Sequence, residues 1–108
     1  MLPTPVHPQR ASPRYEAHFA VTVQPVTNNL EPTEEPIEAV SVDLSQGGLC
    51  FYSKRPLLSD LTIVRIGGAE GKQVELLSRR VHCRRIGPQF EVAVSFVRKL
   101  EQPRTAAQ

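Results

Sequence analysis

Arg10 and Arg14 lie four residues apart, and Asp43 and Ser45 lie two apart just ahead of a glycine pair, Gly47-Gly48. In this pattern these residue types suit recognition of a ligand. A guanidinium matches a phosphate, or the O6/N7 edge of a guanine, with two parallel N–H donors, and it stacks on flat rings. An ionised Asp43 only accepts, so it can take the N1–H and N2–H donors of a guanine, while Ser45 can donate to a phosphate or base oxygen. Gly47 and Gly48 can adopt positive φ and let a ligand or another backbone come close. Arginines for phosphate and one base edge, with a carboxylate for the other edge, suit a guanine nucleotide. Each stretch also has a plainer reading. Two arginines can be a solvated basic arm, and Asp and Ser before Gly-Gly are common hairpin chemistry.

Catalysis has little support. His7, His18 and His82 are scattered, without metal-ligand spacing. No nucleophile elbow and no phosphate-cradling loop is visible. His82 and Cys83 are neighbours on a strand-like run and so point to opposite faces, which argues against a dyad. The chain is therefore expected to be no enzyme and to hold no metal or cofactor. Cys50 and Cys83 read as two small buried hydrophobes in a reducing compartment, with a disulfide between neighbouring strands as the alternative.

The elements that must position these residues read as strands. The length of 108 residues suits one domain, and 40% apolar content gives a modest core. A net charge of +2 offers no broad basic surface for a nucleic-acid polymer. No run is long and apolar enough for a membrane span, and no secretory signal opens the chain, so a cytoplasmic protein without membrane contact is expected.

Prolines crowd residues 1–16, which read as an arm carrying Arg10 and Arg14. A first strand is expected over 18–24, with Phe19, Val21 and Val23 on one face. Residues 27–36 form an acidic loop whose carboxylates only solvate it. The run Ile37-Glu38-Ala39-Val40-Ser41-Val42 leads to the Asp43 turn. Alternation there is read with Val40, Val42 and Leu44 inward and Ser41, Asp43 and Ser45 outward. Further strands cover 49–52 and 61–66. A long run over 72–86 changes parity, which suggests a bulge within 76–79 and puts Leu77, Val81 and Cys83 on one side. It carries Arg79, Arg80, Arg84 and Arg85, with Arg80, His82 and Arg84 on one face, read first as a solvated strand face. The last strand alternates with Phe90, Val92, Val94 and Phe96 inward. The pattern is all-β, a small six-stranded antiparallel β-barrel. Its flexible N-terminal arm is 1–9, its domain is 10–101 with the Arg-x-x-x-Arg arm included, and 102–108 is a disordered tail. Pro103 leaves at most a short C-terminal helix.

Arg10-x-x-x-Arg14 followed by Asp43-x-Ser45-x-x-Gly48 resembles the paired motif of the PilZ domain family, and the resemblance extends over roughly residues 10–98. It implies a six-stranded barrel that binds the bacterial second messenger cyclic di-GMP. By the family's roles Arg10 and Arg14 would clamp guanine and phosphate, and Asp43 would read a guanine edge. Ser45 would bond the ligand, and Gly48 would permit its close approach, with Gly47 as a lesser contributor. Apart from the resemblance, a weaker reading of the basic strand has Arg84 flanking the ligand or a protein partner. The resemblance further implies a stand-alone receptor, a monomer or a ligand-linked dimer, that relays the signal to a downstream protein target in motility or biofilm control. A PilZ-fold adaptor that binds no nucleotide is the alternative. A third reading is a small-barrel RNA binder using residues 79–85. Aromatic content of 6% disfavours it, since single-strand binders stack bases on aromatic side chains.

Overall fold

A computed structural model describes residues 15–16, 18–67 and 73–100 of the chain, the first pair through their backbone. The alternating runs become strands: β1 (Tyr15–Glu16), β2 (Ala20–Val26), β3 (Ile37–Leu44), β4 (Gly48–Ser53), β5 (Leu61–Gly67), β6 (Gln73–Ile86) and β7 (Gln89–Lys99). Around the ring the order is β2–β3–β4–β7–β6–β5 and back to β2, with every neighbouring pair antiparallel. The six longer strands thus close a barrel, as the alternation predicts, and closure satisfies ladder groups that an open sheet would expose. β1 adds two residues beside the end of β3. No helix occurs among the described residues, so none there is long and apolar enough to cross a membrane. The expected arm over 1–9, the tail over 102–108 and any C-terminal helix lie outside the described residues.

The barrel interior is apolar. Val21 and Val23 of β2, Ile37 and Ala39 of β3, Leu49 and Phe51 of β4, Val64 of β5, and Val92 and Val94 of β7 are buried together. Phe19, Phe90, Phe96 and Cys83 pack against them, so the expected inward faces of β2 and β7 hold. Each fully buried Val, Leu or Phe side chain stabilises by about 1.5–3 kcal/mol. Leu57 joins this cluster from the 57–60 connection. Arg80 fixes that connection. Its Nη1 donates to the Leu57 carbonyl at 2.9 Å, and its backbone N–H donates to the Asp60 carbonyl at 2.8 Å.

β3 departs from expectation. Ile37, Ala39 and Ser41 face inward, and Val40 is 52% exposed. The cause is a bulge. Ser41 stands opposite Phe51, yet Asp43 stands opposite Cys50, so Val42 is the extra residue. An inserted residue reverses parity, and Leu44 thereby returns to the core. Val40 belongs to the outer face, opposite Tyr52.

The long hairpin contains two further bulges. β6 has no inserted residue within 76–79, where one was expected: the register shift between Leu77 and Ser78 comes from an extra residue on β7, Val97. The other makes Val81 the extra residue of β6, between Arg80 and His82. Val81, expected on the same side as Leu77 and Cys83, is instead 62% exposed. Leu77 and Cys83 are also separated. Cys83 packs on the main core, whereas Leu77 joins a second cluster with Val26, Ile63, Leu30, Leu61 and Leu100.

The acidic loop is tied down rather than merely solvated. Arg55 Nη2 donates to the carbonyls of Glu35 at 3.0 Å and Pro36 at 3.2 Å, and Arg55 Nη1 lies 3.7 Å from the Glu34 carboxylate. Gln24 Nε2 donates to the Glu34 carbonyl at 2.8 Å. Cys50 and Cys83 form no disulfide, and β7 separates their strands, β4 and β6.

Candidate site at the β3–β4 turn

The turn between β3 and β4 is built by its own polar groups. Ser45 N–H donates to the Gly48 carbonyl at 3.0 Å, and Gly47 N–H donates to Ser45 Oγ at 3.2 Å. This is the local hydroxyl-to-backbone bonding that Ser supplies in turns. Phe96 N–H donates to the Gly47 carbonyl at 2.8 Å, which fastens the turn to β7.

The two glycines differ. Gly48 stands opposite Ser95, and a Cβ there would collide with the Val94 carbonyl oxygen and lie 3.4 Å from Ser95 Cα. The close approach at Gly48 is therefore that of the β7 backbone, a packing reason for glycine independent of any ligand. Gly47 is exposed, with open space where a Cβ would stand. Neither glycine adopts a left-handed φ; the described glycine that does is Gly87.

Asp43 is half-buried on β3. Its backbone pairs with Cys50 of β4 on one side and with Glu16 of β1 on the other, while Leu44 pairs with Tyr15. The chain therefore arrives beside the Asp43 turn directly after Arg14 in sequence. Arg10 and Arg14 themselves lie outside the described residues.

Ser41 does not share the outward face of Asp43. It is 1% exposed. Its N–H donates to the Phe19 carbonyl at 2.9 Å, its Oγ accepts from the Phe19 N–H at 2.8 Å, and its carbonyl lies 3.3 Å from His18 Nδ1. Ser41 thus anchors the segment entering β2 to the strand that carries Asp43. Nothing in the sequence flags this, because a small polar residue in an alternating run fits either face.

Arg84 is not brought to the turn. It lies on β6, separated from β3 by β4 and β7, about 14 Å along the sheet at the usual strand spacing. Its Nε donates to Glu91 Oε1 at 2.8 Å, directly across the β6–β7 ladder. Arg80, His82 and Arg84 also do not act as one group. Arg80 meets Leu57 and Asp60, whereas His82 Nε2 lies 3.8 Å from the same Glu91 oxygen. Among the described residues no three His, Cys, Asp or Glu side chains are grouped as a metal site would need.

What remains at the turn is a half-buried carboxylate, a hydroxyl and an open glycine, on a closed barrel, beside the backbone that follows Arg14. Chemically that arrangement can accept hydrogen bonds from a base and donate one to an anion. No protein-family model matches the chain, and no curated protein matches it.

Proposed function

We propose that this chain is a PilZ-type receptor for cyclic di-GMP, without catalysis, acting in the bacterial cytoplasm on a downstream protein target. Arg10 and Arg14 clamp guanine and phosphate, Asp43 accepts from a guanine edge, and Ser45 and Gly47 border the ligand. The observation that carries this reading is the β1–β3 register, Tyr15 with Leu44 and Glu16 with Asp43. Arg14 is bonded to Tyr15, and consecutive Cα atoms are about 3.8 Å apart. A guanidinium and the Asp43 carboxylate can therefore serve one small ligand, although they are far apart in sequence. Ligand binding draws the arginine segment onto the barrel and changes the surface offered to the target.

A PilZ-like adaptor without nucleotide is the second reading. It is favoured by Gly48, whose glycine is already required by Val94, and by Ser45, whose hydroxyl already serves the turn. Calorimetric titration separates the two. The receptor takes up cyclic di-GMP saturably, and neither GTP nor single-stranded RNA substitutes for it. Absence of any heat beyond dilution with cyclic di-GMP would leave the adaptor reading.

A further inference from the structure

The far end of the β6–β7 hairpin takes no part in the site above. β6 pairs with β5 along residues 73–79 only, yet its pairing with β7 continues to Ile86. The Arg80 N–H is taken by the Asp60 carbonyl. Beyond it, no described strand lies beside residues 81–86 on the side away from β7. The hairpin closes at Ile86 and Gln89 over Gly87-Pro88, with Gly87 at φ 60, which fits a two-residue turn with glycine first. Ladder bonds alternate along an antiparallel pair. Ile86, Arg84 and His82 therefore exchange bonds with β7, and Cys83 and Arg85 turn their N–H and C=O groups to the open side.

The side chains along this edge are exposed and basic. Arg79, His82, Arg84 and Arg85 are all exposed, as are the branched Val81 and Ile86. Glu91 answers Arg84 and His82, and Asp60 answers Arg80. Among the described residues no carboxylate pairs with Arg79 or Arg85. Arg85 instead donates through Nε to the Gly87 carbonyl at 3.1 Å and lies over the Phe90 ring, 5.9 Å from its centroid.

Three occupants could pair with such an edge, and charge decides among them. A second copy of the chain would set the same cations against each other, and like charges directly opposite are destabilising. Single-stranded nucleic acid would need exposed aromatic platforms, and Phe90 is covered by Arg85. An extended acidic peptide supplies main-chain partners and opposite charge together. We propose that residues 81–86 of β6 accept an extended acidic segment of a partner protein by strand addition. The added strand bonds to the Cys83 and Arg85 main chain, and its alternate carboxylates stand on the face that carries Arg85. Cyclic di-GMP plays no part in this proposal.

The test uses the full chain and a fluorescent hexapeptide of alternating valine and glutamate. The controls are a valine–lysine peptide and a valine–glutamate peptide N-methylated at alternate residues. Strand addition slows amide exchange at Cys83 and Arg85. N-methylation removes main-chain donors and weakens binding by about tenfold or more. Arg85→Glu, at an exposed position on the open stretch, weakens it while the thermal midpoint stays unchanged, and Arg79→Glu, at a position that β5 already covers, leaves it unchanged. Equal binding of the lysine peptide or of the N-methylated peptide overturns the proposal. So does protection of amides elsewhere than this edge, displacement of the peptide by oligothymidylate, or self-association of the chain through β6. No binding of the valine–glutamate peptide also overturns it, and the arginines then only guard a bare edge.

Discussion

Phe19 and Ser41 hold each other by two hydrogen bonds, one between main chains at 2.9 Å and one from the Phe19 N–H to Ser41 Oγ at 2.8 Å. The pair fixes which way β3 faces, because Ser41 must turn inward to make the second bond. Ser41→Ala strands the Phe19 N–H and is expected to cost about 1–3 kcal/mol. For a domain this small that lowers the thermal midpoint by roughly 4–8 °C per kcal/mol. Thermal unfolding of the variant checks it. An unchanged midpoint would mean that the hydroxyl is not an anchor.

Gly47 and Gly48 are adjacent but are expected to respond oppositely to alanine. At Gly48 the new Cβ meets the Val94 carbonyl, a backbone atom that cannot rotate away. Overpacking of that kind costs about 1–3 kcal/mol. At Gly47 the space is open, and the change should stay within about 0.5 kcal/mol. Urea unfolding of both variants, without ligand, decides. Equal stabilities would remove the packing account of Gly48.

Val40 and Phe51 test the reversed face of β3. Val40→Thr, at a position 52% exposed, should be nearly neutral, within about 0.5 kcal/mol. Phe51→Ala, opposite Ser41 in the core, should cost about 3–5 kcal/mol. A large loss with Val40→Thr would restore the simple alternation.

Much of the barrel is legible in the sequence. β2 and β7 show why, since Phe19, Val21 and Val23, and Phe90, Val92, Val94 and Phe96, keep one parity where no bulge intervenes. The errors sit where a bulge does intervene. The extra residues are Val42, Val81 and Val97, ordinary strand formers that carry no turn or glycine signal. Hydrophobic period cannot locate an insertion made of a residue that suits either face. At the site, Ser45 and Gly47 are legible as a turn because each has turn chemistry, whereas Asp43 and Gly48 belong to the strands on either side of it. The pairing of Glu16 with Asp43 is not legible, because two residues have no period. The basic run on β6 is legible as charge, but its division between Leu57, Asp60 and Glu91 depends on the bulge at Val81.

Trypsin reads the coupling between ligand and the arginine segment. The bond after Arg14 precedes Tyr15, whose backbone pairs with Leu44. Saturating cyclic di-GMP should slow cleavage there several-fold compared with the free chain, and GTP should not. Equal rates under all conditions would separate binding from any clamp by Arg14.

The affinity of cyclic di-GMP for the intact chain and for Arg14→Ala, titrated calorimetrically side by side, bears most directly on the receptor reading. A bidentate arginine–base contact is worth about 1–3 kcal/mol of discrimination. The expected result is saturable binding to the intact chain and a loss of roughly tenfold or more in the variant, since 1.4 kcal/mol is about a factor of ten. No binding to the intact chain, or the same affinity in Arg14→Ala, would contradict it.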